Sequence, residues 1–338
     1  MSRITIMGGG AWGTAIALSL ARRGGHELTL WTHSEEVART IIASRENAGF
    51  LPGFPIPESI AVTNDAELAI ASSEILVSVM PSHHVRASYE RFTPHLRPDQ
   101  ILVSGTKGIE DGSYLRVSQI IADTLARHRP DIADLPCAVL SGPSFAQEVA
   151  AGSPTAVTIA SSDYETAARI QREFSSSTLR LYTNDDVIGV ELGGALKNVI
   201  AIAAGVVSGL GLGHNSTAAL ITRGIAEVTR LAVAAGGRRE TLAGLAGLGD
   251  LVLTCTGALS RNRWVGVELG KGQPLSSILE ALNGKVAEGV RTTRAALGLA
   301  QQHDVELPIA NQVAAILQHG KSPVDAMREL MVRPGREE

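Results

Sequence analysis

The sequence predicts an α/β, doubly wound domain followed by an all-helical C-terminal domain. Strand patterns alternate with helical patterns from the N-terminus to about residue 184, which is typical of a mostly parallel sheet. Beyond Asn184-Asp185-Asp186 only helical patterns follow. The 338 residues are enough for two hydrophobic cores, so we expect a dinucleotide-type domain at 1–186 and a helical domain at 187–338.

The first domain opens with an apolar strand at 3–7, a glycine-rich turn and an apolar helix at 15–22. A strand at 27–32 follows, and together these elements predict a βαβ unit. Apolar runs continue the pattern at regular intervals. They predict strands at 75–80, 100–104, 138–140, 155–160 and 179–182.

The second domain is predicted from hydrophobic spacing close to one residue in 3.6. The segment 195–213 is the most apolar of the chain, but its glycine and polar interruptions indicate a buried core helix and not a membrane span. A glycine-rich turn is expected at 244–250. Helices are predicted at 187–209, 215–236, 261–270, 275–282, 289–303 and 308–318.

Composition restricts the class of partner and the compartment. Hydrophobic residues make up 44% of the chain and charged residues 19%, as in ordinary globular proteins. The net charge of −4 argues against a nucleic acid or an anionic membrane as partner. Cys137 and Cys255 form neither a disulfide framework nor a zinc-site spacing, and the N-terminus resembles no export signal. We therefore expect a cytoplasmic protein without a metal site.

The glycine turn is the first candidate site. Gly8, Gly10 and Gly13 follow a strand and open a helix with the spacing G-x-G-x-x-G, which predicts a Rossmann-type dinucleotide site. The alternative is an incidental glycine turn. An NAD site usually carries Asp or Glu at the end of the second strand, but this chain has His33 between Thr32 and Ser34. The sequence thus predicts NADP, or both NADP and NAD, with His33 either contacting the cofactor or remaining a plain surface residue.

Lys197 is the candidate catalytic residue. It is the only Lys or Arg between Arg180 and Arg223, and its surroundings are apolar on every side. A buried ammonium is costly unless it is paired or used, and desolvation lowers the pKa of a lysine toward the range of an acid/base catalyst. The alternatives are a lysine whose head reaches solvent or a structural pair with a carboxylate.

Further candidates belong to the second domain. Asp250 lies in an apolar turn and needs a partner, so it is either a partner of Lys197 or of a substrate hydroxyl, or simply a helix cap or turn residue. Asn198 is a possible donor to a carbonyl oxygen. Ser260 is a good N-cap for a helix whose first residues are Arg261 and Asn262, and this arrangement favours a phosphate. The alternative there is a capped helix with solvated arginines.

Two segments follow strands of the first domain, at the edge where open α/β sheets bind ligands. Lys107 lies just past one strand, although spacing alone favours a solvated loop lysine. Gly142 and Ser144 follow the next strand in a Ser-Gly-Pro-Ser turn. His83 and His84 also follow a strand, but no ligand spacing makes them metal ligands, and they receive no role.

Six segments together resemble the bacterial NAD(P)-dependent glycerol-3-phosphate dehydrogenases, in order and over nearly the whole chain. The resemblance implies reversible reduction of dihydroxyacetone phosphate to sn-glycerol 3-phosphate for phospholipid synthesis, by a cytoplasmic homodimer that uses NADP or NAD. The segments are GGGAWGTA at 8–15, TKG at 106–108, SGPSFAQEV at 141–149, GGALKNV at 193–199, GLAGLGDL at 244–251 and SRNR at 260–263.

The resemblance also implies residue roles. Lys197 matches the general acid/base lysine of the family. His33 departs from the pattern, since many relatives carry arginine there, and this weakens the expectation of an NADP preference. The substrate contacts fall on Lys107, Gly142, Ser144, Lys197, Asp250, Ser260, Arg261 and Asn262. The cofactor contacts fall on Trp12, His33, Lys107, Ala146, Arg261, Val286 and Glu288, in addition to the glycine turn.

Two other functions fit parts of the sequence. A β-hydroxy-acid dehydrogenase or a ketopantoate-type reductase shares the two-domain plan and a buried helical lysine, but the Ser-Arg-Asn-Arg turn favours a substrate with a phosphate. A nucleotide-sensing module would bind NADP(H) and use Lys197 and Asp250 as structural residues only.

Overall fold

The computed structural model describes residues 1–282 and 286–334. It divides the chain into two compact units. The first contains 1–107 and 116–190, and the second contains 108–115 and the described residues from 191 onward. The units differ from the predicted domains 1–186 and 187–338 in two places. The break lies slightly later in the chain, and a short segment of the first half belongs with the second unit.

The first unit is built on an eight-stranded sheet with the order β10-β9-β8-β7-β6-β1-β2-β5. All neighbours run parallel except β8 and β9, which pair antiparallel. A separate two-stranded ladder joins β3 and β4. The strands are β1 Ser2–Met7, β2 His26–Trp31, β3 Glu46–Asn47, β4 Leu51–Pro55, β5 Ile60–Thr63, β6 Ile75–Ser78, β7 Ile101–Ser104, β8 Cys137–Ser141, β9 Thr155–Ala160 and β10 Leu179–Asn184.

The helices of the first unit are mostly short. They are α1 Ala11–Arg23, α2 Glu35–Ser44, α3 Ala66–Ala71, α4 Val85–Phe92, α5 Val117–His128, α6 Ala146–Ala151 and α7 Tyr164–Phe174, with 3-10 turns at Ser82–His84, Thr93–His95 and Pro130–Ile132. The α/β class predicted from the sequence is therefore confirmed. Three strands were missed, namely β3, β4 and β5, because they are short and two of them contain too few apolar residues to show a pattern.

The sheet places its ligand edge beside β1. β1 lies between β2 and β6, so the strand order reverses at this position, and such a switch point is where open α/β sheets bind ligands. The two strand ends come very close there. A Cβ atom on Gly8, just after β1, would lie 1.9 Å from the carbonyl oxygen of Val79, just after β6.

Helices make up the regular structure of the second unit among the residues described. The long α8 Val187–Gly209 begins in the first unit and continues into the second. The other helices are α9 His214–Ala234, α10 Arg239–Leu242, α11 Asp250–Thr256, α12 Arg261–Gly270, α13 Leu275–Ala281, α14 Glu288–Gln302, α15 Pro308–His319 and α16 Pro323–Met331, with a π-helical turn at Leu245–Gly249. The prediction of a helical second half is confirmed.

Three features of this half were not predicted. Asp250 was expected inside a glycine-rich turn, but it is the first residue of α11, because the π-helical turn before it leads directly into the helix. The short α10 and the C-terminal α16 were also not predicted, because their sequences are too short to show a clear helical spacing of apolar residues. Predicted bounds for α8 and α12 agree with the structure, since strong apolar or capping signals mark their ends.

The apolar helix α8 is long enough to cross a membrane by length and composition, as is one bent pair of helices if its two parts are taken together. For α8, however, 83% of its most apolar window is buried inside the protein. The residues from Glu191 to Val207 are all buried. This burial is what a core helix requires, in agreement with the expectation from its polar interruptions.

The segment 108–115 attaches to α14 in the second unit. Arg294 Nη2 lies 2.6 Å from Asp111 Oδ2. The ring of Tyr114 occupies the space that a side chain at position 298 would need, because a Cβ on Gly298 would lie 2.2 Å from it. No apolar period marks this segment in the sequence, and its association with the helical unit was not predicted.

Glu227 is a buried carboxylate that caps a helix from a distance in sequence. Its oxygens accept hydrogen bonds from the backbone N–H groups of Ile309 and Ala310 at the start of α15, at 2.8 and 2.9 Å. Only 3% of the residue is exposed. Burial raises the pKa of Glu227 from 4.5 to about 7, against the opposing effect of the two N–H groups.

This raised pKa predicts a pH-dependent stability. The folded protein keeps the Glu227 proton between pH 4.5 and 7 whereas the unfolded chain releases it, so the free energy of unfolding falls as pH rises through this interval. A shift of this size corresponds to about 3 kcal/mol. We expect the free energy of unfolding of the wild type, measured in urea, to fall between pH 4.5 and 7. The Glu227→Gln variant cannot ionise at this position and should not show this fall. Parallel pH profiles for the two proteins would contradict the assignment.

Candidate active site

The glycine turn at the switch point has the geometry of an anion site. Gly8 has a φ of +145°, which favours glycine. Gly10 is the N-cap of α1 and has no side chain that could cap the helix. The first turn of α1 contains no acidic residue. The free N–H groups and the dipole of the helix are therefore available to a negatively charged group.

The same turn has room for a ligand. A Cβ on Gly10 would meet no atom within 4 Å, so the surface there is open, whereas one on Gly13 would lie 1.9 Å from the Gly8 carbonyl oxygen. The indole Nε1 of Trp12, two residues after Gly10, is buried and has no hydrogen-bond partner among the described residues. A buried donor without a partner is rare and suits a site that is completed by a ligand. These features fit the pyrophosphate-bearing half of NAD or NADP.

Asn47 holds the glycine turn and was missed from the sequence. Its side-chain Nδ2 donates to the carbonyl oxygen of Gly9 and to the hydroxyl of Thr14, each at 2.8 Å. The residue is 2% exposed. Because Asn47 lies in a two-residue strand some 30 positions away, no local motif connects it with the turn. In the sequence, the only sign of a role for Asn47 is that it is a polar residue in a segment with no clear helix or strand pattern.

His33 lies just past the end of β2 and is exposed. Its ring centroid is 6.1 Å from that of Trp31, and the guanidinium carbon of Arg91 lies 5.9 Å from the Trp31 centroid. His33 and Arg91 thus both lie close to the Trp31 ring. Arg91 adds a positive charge near the strand end that the sequence did not reveal, because it comes from α4 and not from the βαβ unit.

The structure brings together Lys107, Gly142 and Ser144, which the sequence had placed at two separate strand ends. Lys107 Nζ donates to the carbonyl oxygen of Gly142 at 3.1 Å, and Ser144 Oγ donates to the same oxygen at 3.0 Å. Strands β7 and β8 are neighbours in the sheet, so their C-terminal ends lie side by side. Ala146 is the first residue of α6, directly after this turn.

Lys197 forms a buried ion pair in the second unit. Its ammonium group donates hydrogen bonds to Asp250 Oδ1 and to Thr254 Oγ1, the latter at 3.0 Å. The side chains of Lys197 and Asp250 are 9% and 1% exposed. The charged partner expected for Lys197 is therefore Asp250, which lies at the start of α11.

Thr254 orients this pair and was not identified from the sequence. It lies four residues after Asp250 on the same helix, and its hydroxyl donates to the Asp250 carbonyl oxygen at 2.6 Å. Its oxygen is therefore the atom that accepts from Lys197. Burial raises the pKa of the adjacent Cys255 to about 12, so this thiol is neutral and does not compete with Asp250 for the ammonium. The signal that could have identified Thr254 is its position four residues after Asp250 on a helix, which places both side chains on one face.

The start of α12 forms a second anion site. Ser260 Oγ accepts a hydrogen bond from the backbone N–H of Arg263 at 3.2 Å, as predicted for an N-cap. Among the described residues, no hydrogen bond uses the backbone N–H groups of Arg261 and Asn262. Arg261 is exposed. Desolvation by the protein lowers the pKa of its guanidinium and Glu288 opposes this effect, but an arginine remains charged at neutral pH.

Close helix contacts bring these residues to one region of the second unit. A Cβ on Gly266 of α12 would lie 1.9 Å from the Ile202 carbonyl oxygen of α8, and one on Gly289 of α14 would lie 2.5 Å from the Asn198 carbonyl oxygen. The absence of side chains therefore allows α8, α12 and α14 to approach one another. Glu288 is the first residue of α14, and its charge acts on Arg261. Val286, two residues before Glu288, is half-buried.

Each unit thus supports one part of a reaction. The first offers a helix N-terminus and a glycine turn for a dinucleotide. The second offers a buried ammonium–carboxylate pair that is suited to proton transfer, together with a helix N-terminus and an arginine suited to a phosphate.

Two family models match the chain. The model of the N-terminus of NAD-dependent glycerol-3-phosphate dehydrogenase matches residues 3–167, and the model of its C-terminus matches 186–328. A relative named glycerol-3-phosphate dehydrogenase [NAD(P)+] from Acidobacterium capsulatum is 68% identical over 100% of both chains.

Solved structures agree. The chain resembles a crystal structure of glycerol-3-phosphate dehydrogenase from Coxiella burnetii with a TM-score of 0.92 and 40% identity, covering 98% of this chain and 99% of that one. A ketopantoate reductase from Ralstonia eutropha matches with a TM-score of 0.59 and 16% identity, covering 96% and 99%. That similarity shows a shared fold alone.

Proposed function

Since this chain belongs to the NAD-dependent glycerol-3-phosphate dehydrogenase family and is an NAD(P)-dependent oxidoreductase that reduces dihydroxyacetone phosphate, we propose that Lys197 is its general acid/base. The observation that carries this proposal is the buried contact of the Lys197 ammonium with Asp250 and Thr254. The cofactor, when bound, supplies the hydride.

The proton comes from the Lys197 ammonium group. As negative charge develops on the central oxygen of the ketone, the ammonium donates a proton to it and becomes a neutral amine. In the reverse reaction the amine accepts the proton of the hydroxyl group. Asp250 stabilises the ammonium form, and Thr254 limits the directions in which it can point. The product, sn-glycerol 3-phosphate, is the precursor from which glycerophospholipids are built.

The substrate phosphate binds at the start of α12. The backbone N–H groups of Arg261 and Asn262 and the guanidinium of Arg261 provide charge-assisted donors, and the Ser260 hydroxyl keeps its own hydrogen for a phosphate oxygen. The family resemblance also assigns Lys107, Gly142 and Ser144 to the substrate. This phosphate site distinguishes the proposed substrate from an unphosphorylated hydroxy acid.

The cofactor is held by the first unit through the turn from Gly8 to Gly13, with Trp12, Lys107 and Ala146 as further contacts. We assign His33 and Arg91, which both lie beside Trp31, to the ribose end of the cofactor. The missing acidic residue removes the repulsion of a 2′-phosphate. The chain therefore uses NADP as well as NAD. The family resemblance assigns Arg261, Val286 and Glu288 to the cofactor as well.

Arg261→Ala should raise the KM for dihydroxyacetone phosphate by roughly 10- to 100-fold, because a charge-assisted hydrogen bond contributes about 1.5–3 kcal/mol. Steady-state kinetics with saturating NADPH measure this effect. Arg263→Ala is the matched control, since the Arg263 side chain is two residues away and donates to Ser208 at 3.0 Å instead. An unchanged KM in Arg261→Ala would remove the phosphate role from this residue.

We extend the proposal to a cytoplasmic homodimer. The second unit exposes several large apolar side chains that a partner subunit would cover. Among the described residues, Cys137 and Cys255 form no disulfide, which is compatible with the proposed reducing compartment. Sedimentation of a species with twice the chain mass of 35.4 kDa would support the dimer, and a monomer at micromolar concentration would contradict it. The exposed side chains include Leu212, Val233, Leu248, Val252, Leu259 and Trp264.

A further inference from the structure

Asn47 fixes the orientation of one peptide unit in the glycine turn. Its Nδ2 group donates to the carbonyl oxygen of Gly9 and to the hydroxyl oxygen of Thr14, each at 2.8 Å. Both side chains are buried, so water does not compete for these hydrogen bonds. A backbone carbonyl can only accept, so the atom of Asn47 that faces Gly9 must be the nitrogen. Both hydrogens of this amide group are therefore used to hold the turn.

The carbonyl of Gly9 and the N–H of Gly10 belong to the same planar peptide unit. In a trans peptide these two groups point in opposite directions, so Asn47 also fixes the N–H of Gly10, which points away from it. Within the described part of the chain, no group accepts a hydrogen bond from this N–H. The protein surface beside Gly10 is open, since a Cβ there would meet no atom within 4 Å. The Gly10 N–H is therefore a donor with a fixed direction and no protein acceptor.

This peptide unit needs an outside contact to keep its orientation. It lies between two glycines, and neither residue has a side chain that restricts rotation of the backbone. If the peptide turned over, the carbonyl oxygen of Gly9 would take the place of the Gly10 N–H and would repel a phosphate. A donor that is held in place before the anion arrives binds it more tightly than one that must first be ordered.

We propose that Asn47 is a positioning residue for the cofactor, which holds the Gly9–Gly10 peptide with its N–H directed to the pyrophosphate and its carbonyl oxygen directed away. This inference rests on the proposed cofactor site at the glycine turn. Asn47 lies in β3, outside the βαβ unit that forms the turn, and β3 pairs only with β4. The short β3–β4 ladder thus contributes to cofactor binding through one amide group.

Asn47→Ala tests this role through the affinity for NADPH. The alanine leaves the Gly9 carbonyl without its donor and frees the peptide to rotate. We expect the Kd for NADPH, measured by quenching of NADPH fluorescence, to rise by roughly 10-fold, about the loss of one charge-assisted hydrogen bond. In steady-state kinetics the loss should appear mainly in the KM for NADPH, because the peptide acts on binding and not on the transfer of hydride.

The nucleotide 2′-AMP separates an effect on the pyrophosphate from a general disturbance of the cofactor site. It carries the adenosine and the 2′-phosphate of NADPH but no pyrophosphate. Its inhibition constant in competition with NADPH should therefore stay at the wild-type value in Asn47→Ala. An equal loss of affinity for 2′-AMP and for NADPH would show that Asn47 only supports the fold of this region.

Gln100→Ala is the matched control, because Gln100 is also a fully buried amide that holds backbone carbonyl groups of the first unit. Its Nε2 donates to the carbonyl oxygens of Ile70 and Ser73 at 2.8 and 3.0 Å. Gln100 directly precedes β7 and so lies at the opposite edge of the sheet from the glycine turn. We expect Gln100→Ala to lower the free energy of unfolding in urea but to keep the wild-type Kd for NADPH.

Thr14→Val keeps the proposal testable if Asn47→Ala does not fold. Valine keeps the shape of threonine but removes the second acceptor of Asn47, so the Kd for NADPH should rise in the same direction by roughly 2- to 10-fold, the range of one neutral hydrogen bond. Wild-type NADPH affinity in the folded variant, or an equal loss in Gln100→Ala, would overturn the proposal. Failure of the proposed function would appear in the wild type itself, as absent NADPH binding or absent reduction of dihydroxyacetone phosphate.

Discussion

Replacing Lys197 with alanine should lower kcat by roughly 10²- to 10⁴-fold, the usual contribution of a general acid/base. No other described side chain donates to both Asp250 and Thr254, so we expect no ready substitute for the ammonium. NADPH binding should persist, because the glycine turn belongs to the first unit. Steady-state kinetics and quenching of NADPH fluorescence separate the two quantities.

The same substitution should also lower stability. It leaves the Asp250 carboxylate, 1% exposed, without its cation, and breaking a buried pair in this way costs about 3–5 kcal/mol. The double variant Lys197→Met with Asp250→Asn removes both charges and should recover much of the stability without recovering kcat. Activity that returned with stability would show that Lys197 is a structural residue.

Lys271→Ala provides the matched control. Lys271 is half-exposed and pairs with Glu268 at 2.8 Å on the surface of the second unit. Exposed pairs of this kind contribute at most about 1 kcal/mol. We expect this variant to keep wild-type kcat and nearly wild-type stability, so that any loss in Lys197→Ala is specific to the buried pair.

Gly10→Ala and Gly13→Ala should separate cofactor binding from folding. A methyl group on Gly10 meets no atom of the protein but occupies the space where a pyrophosphate would approach. NADPH affinity should fall by roughly 10- to 100-fold, as when one or two charge-assisted hydrogen bonds are lost. Stability should change by less than about 1 kcal/mol, because reduced freedom of the unfolded chain offsets the poorer N-cap.

A methyl group on Gly13, by contrast, would lie 1.9 Å from the Gly8 carbonyl oxygen. The turn must shift to accommodate it, so Gly13→Ala should lose about 2 kcal/mol or more in urea unfolding. Equal NADPH affinity in Gly10→Ala and the wild type would show that the turn does not hold the pyrophosphate. Equal stability of Gly13→Ala and the wild type would contradict the packing described for the turn.

Local signals were sufficient for much of the fold. The glycine turn after β1, the apolar α8 and the Ser260 cap of α12 each carry their signal within a few residues, and the structure has these elements where the sequence placed them. Short β5 lacks such a signal. The antiparallel pairing of β8 and β9 also escaped prediction, because strand direction depends on tertiary connections that no local period records.

Some residues of the candidate site could likewise be predicted from local sequence, and others could not. Lys197 and Asp250 were identifiable because a charge in an apolar segment needs a partner. Asn47 and Asn262 were harder to interpret, because their importance lies in the atoms that their amides face. Asn262 was assigned to the phosphate from its place at a helix start, but the contacts of its side chain to Asn198 and Gly289 appear only in three dimensions.

The most direct test of the whole account follows nicotinamide absorbance with the purified protein. Dihydroxyacetone phosphate is compared with unphosphorylated dihydroxyacetone, each with NADPH and with NADH. We predict rapid oxidation of the cofactor with the phosphorylated ketone only, and the ratio of the NADPH and NADH rates reports what His33 contributes. Equal rates with both ketones, or no oxidation while NADPH still binds, would contradict the account.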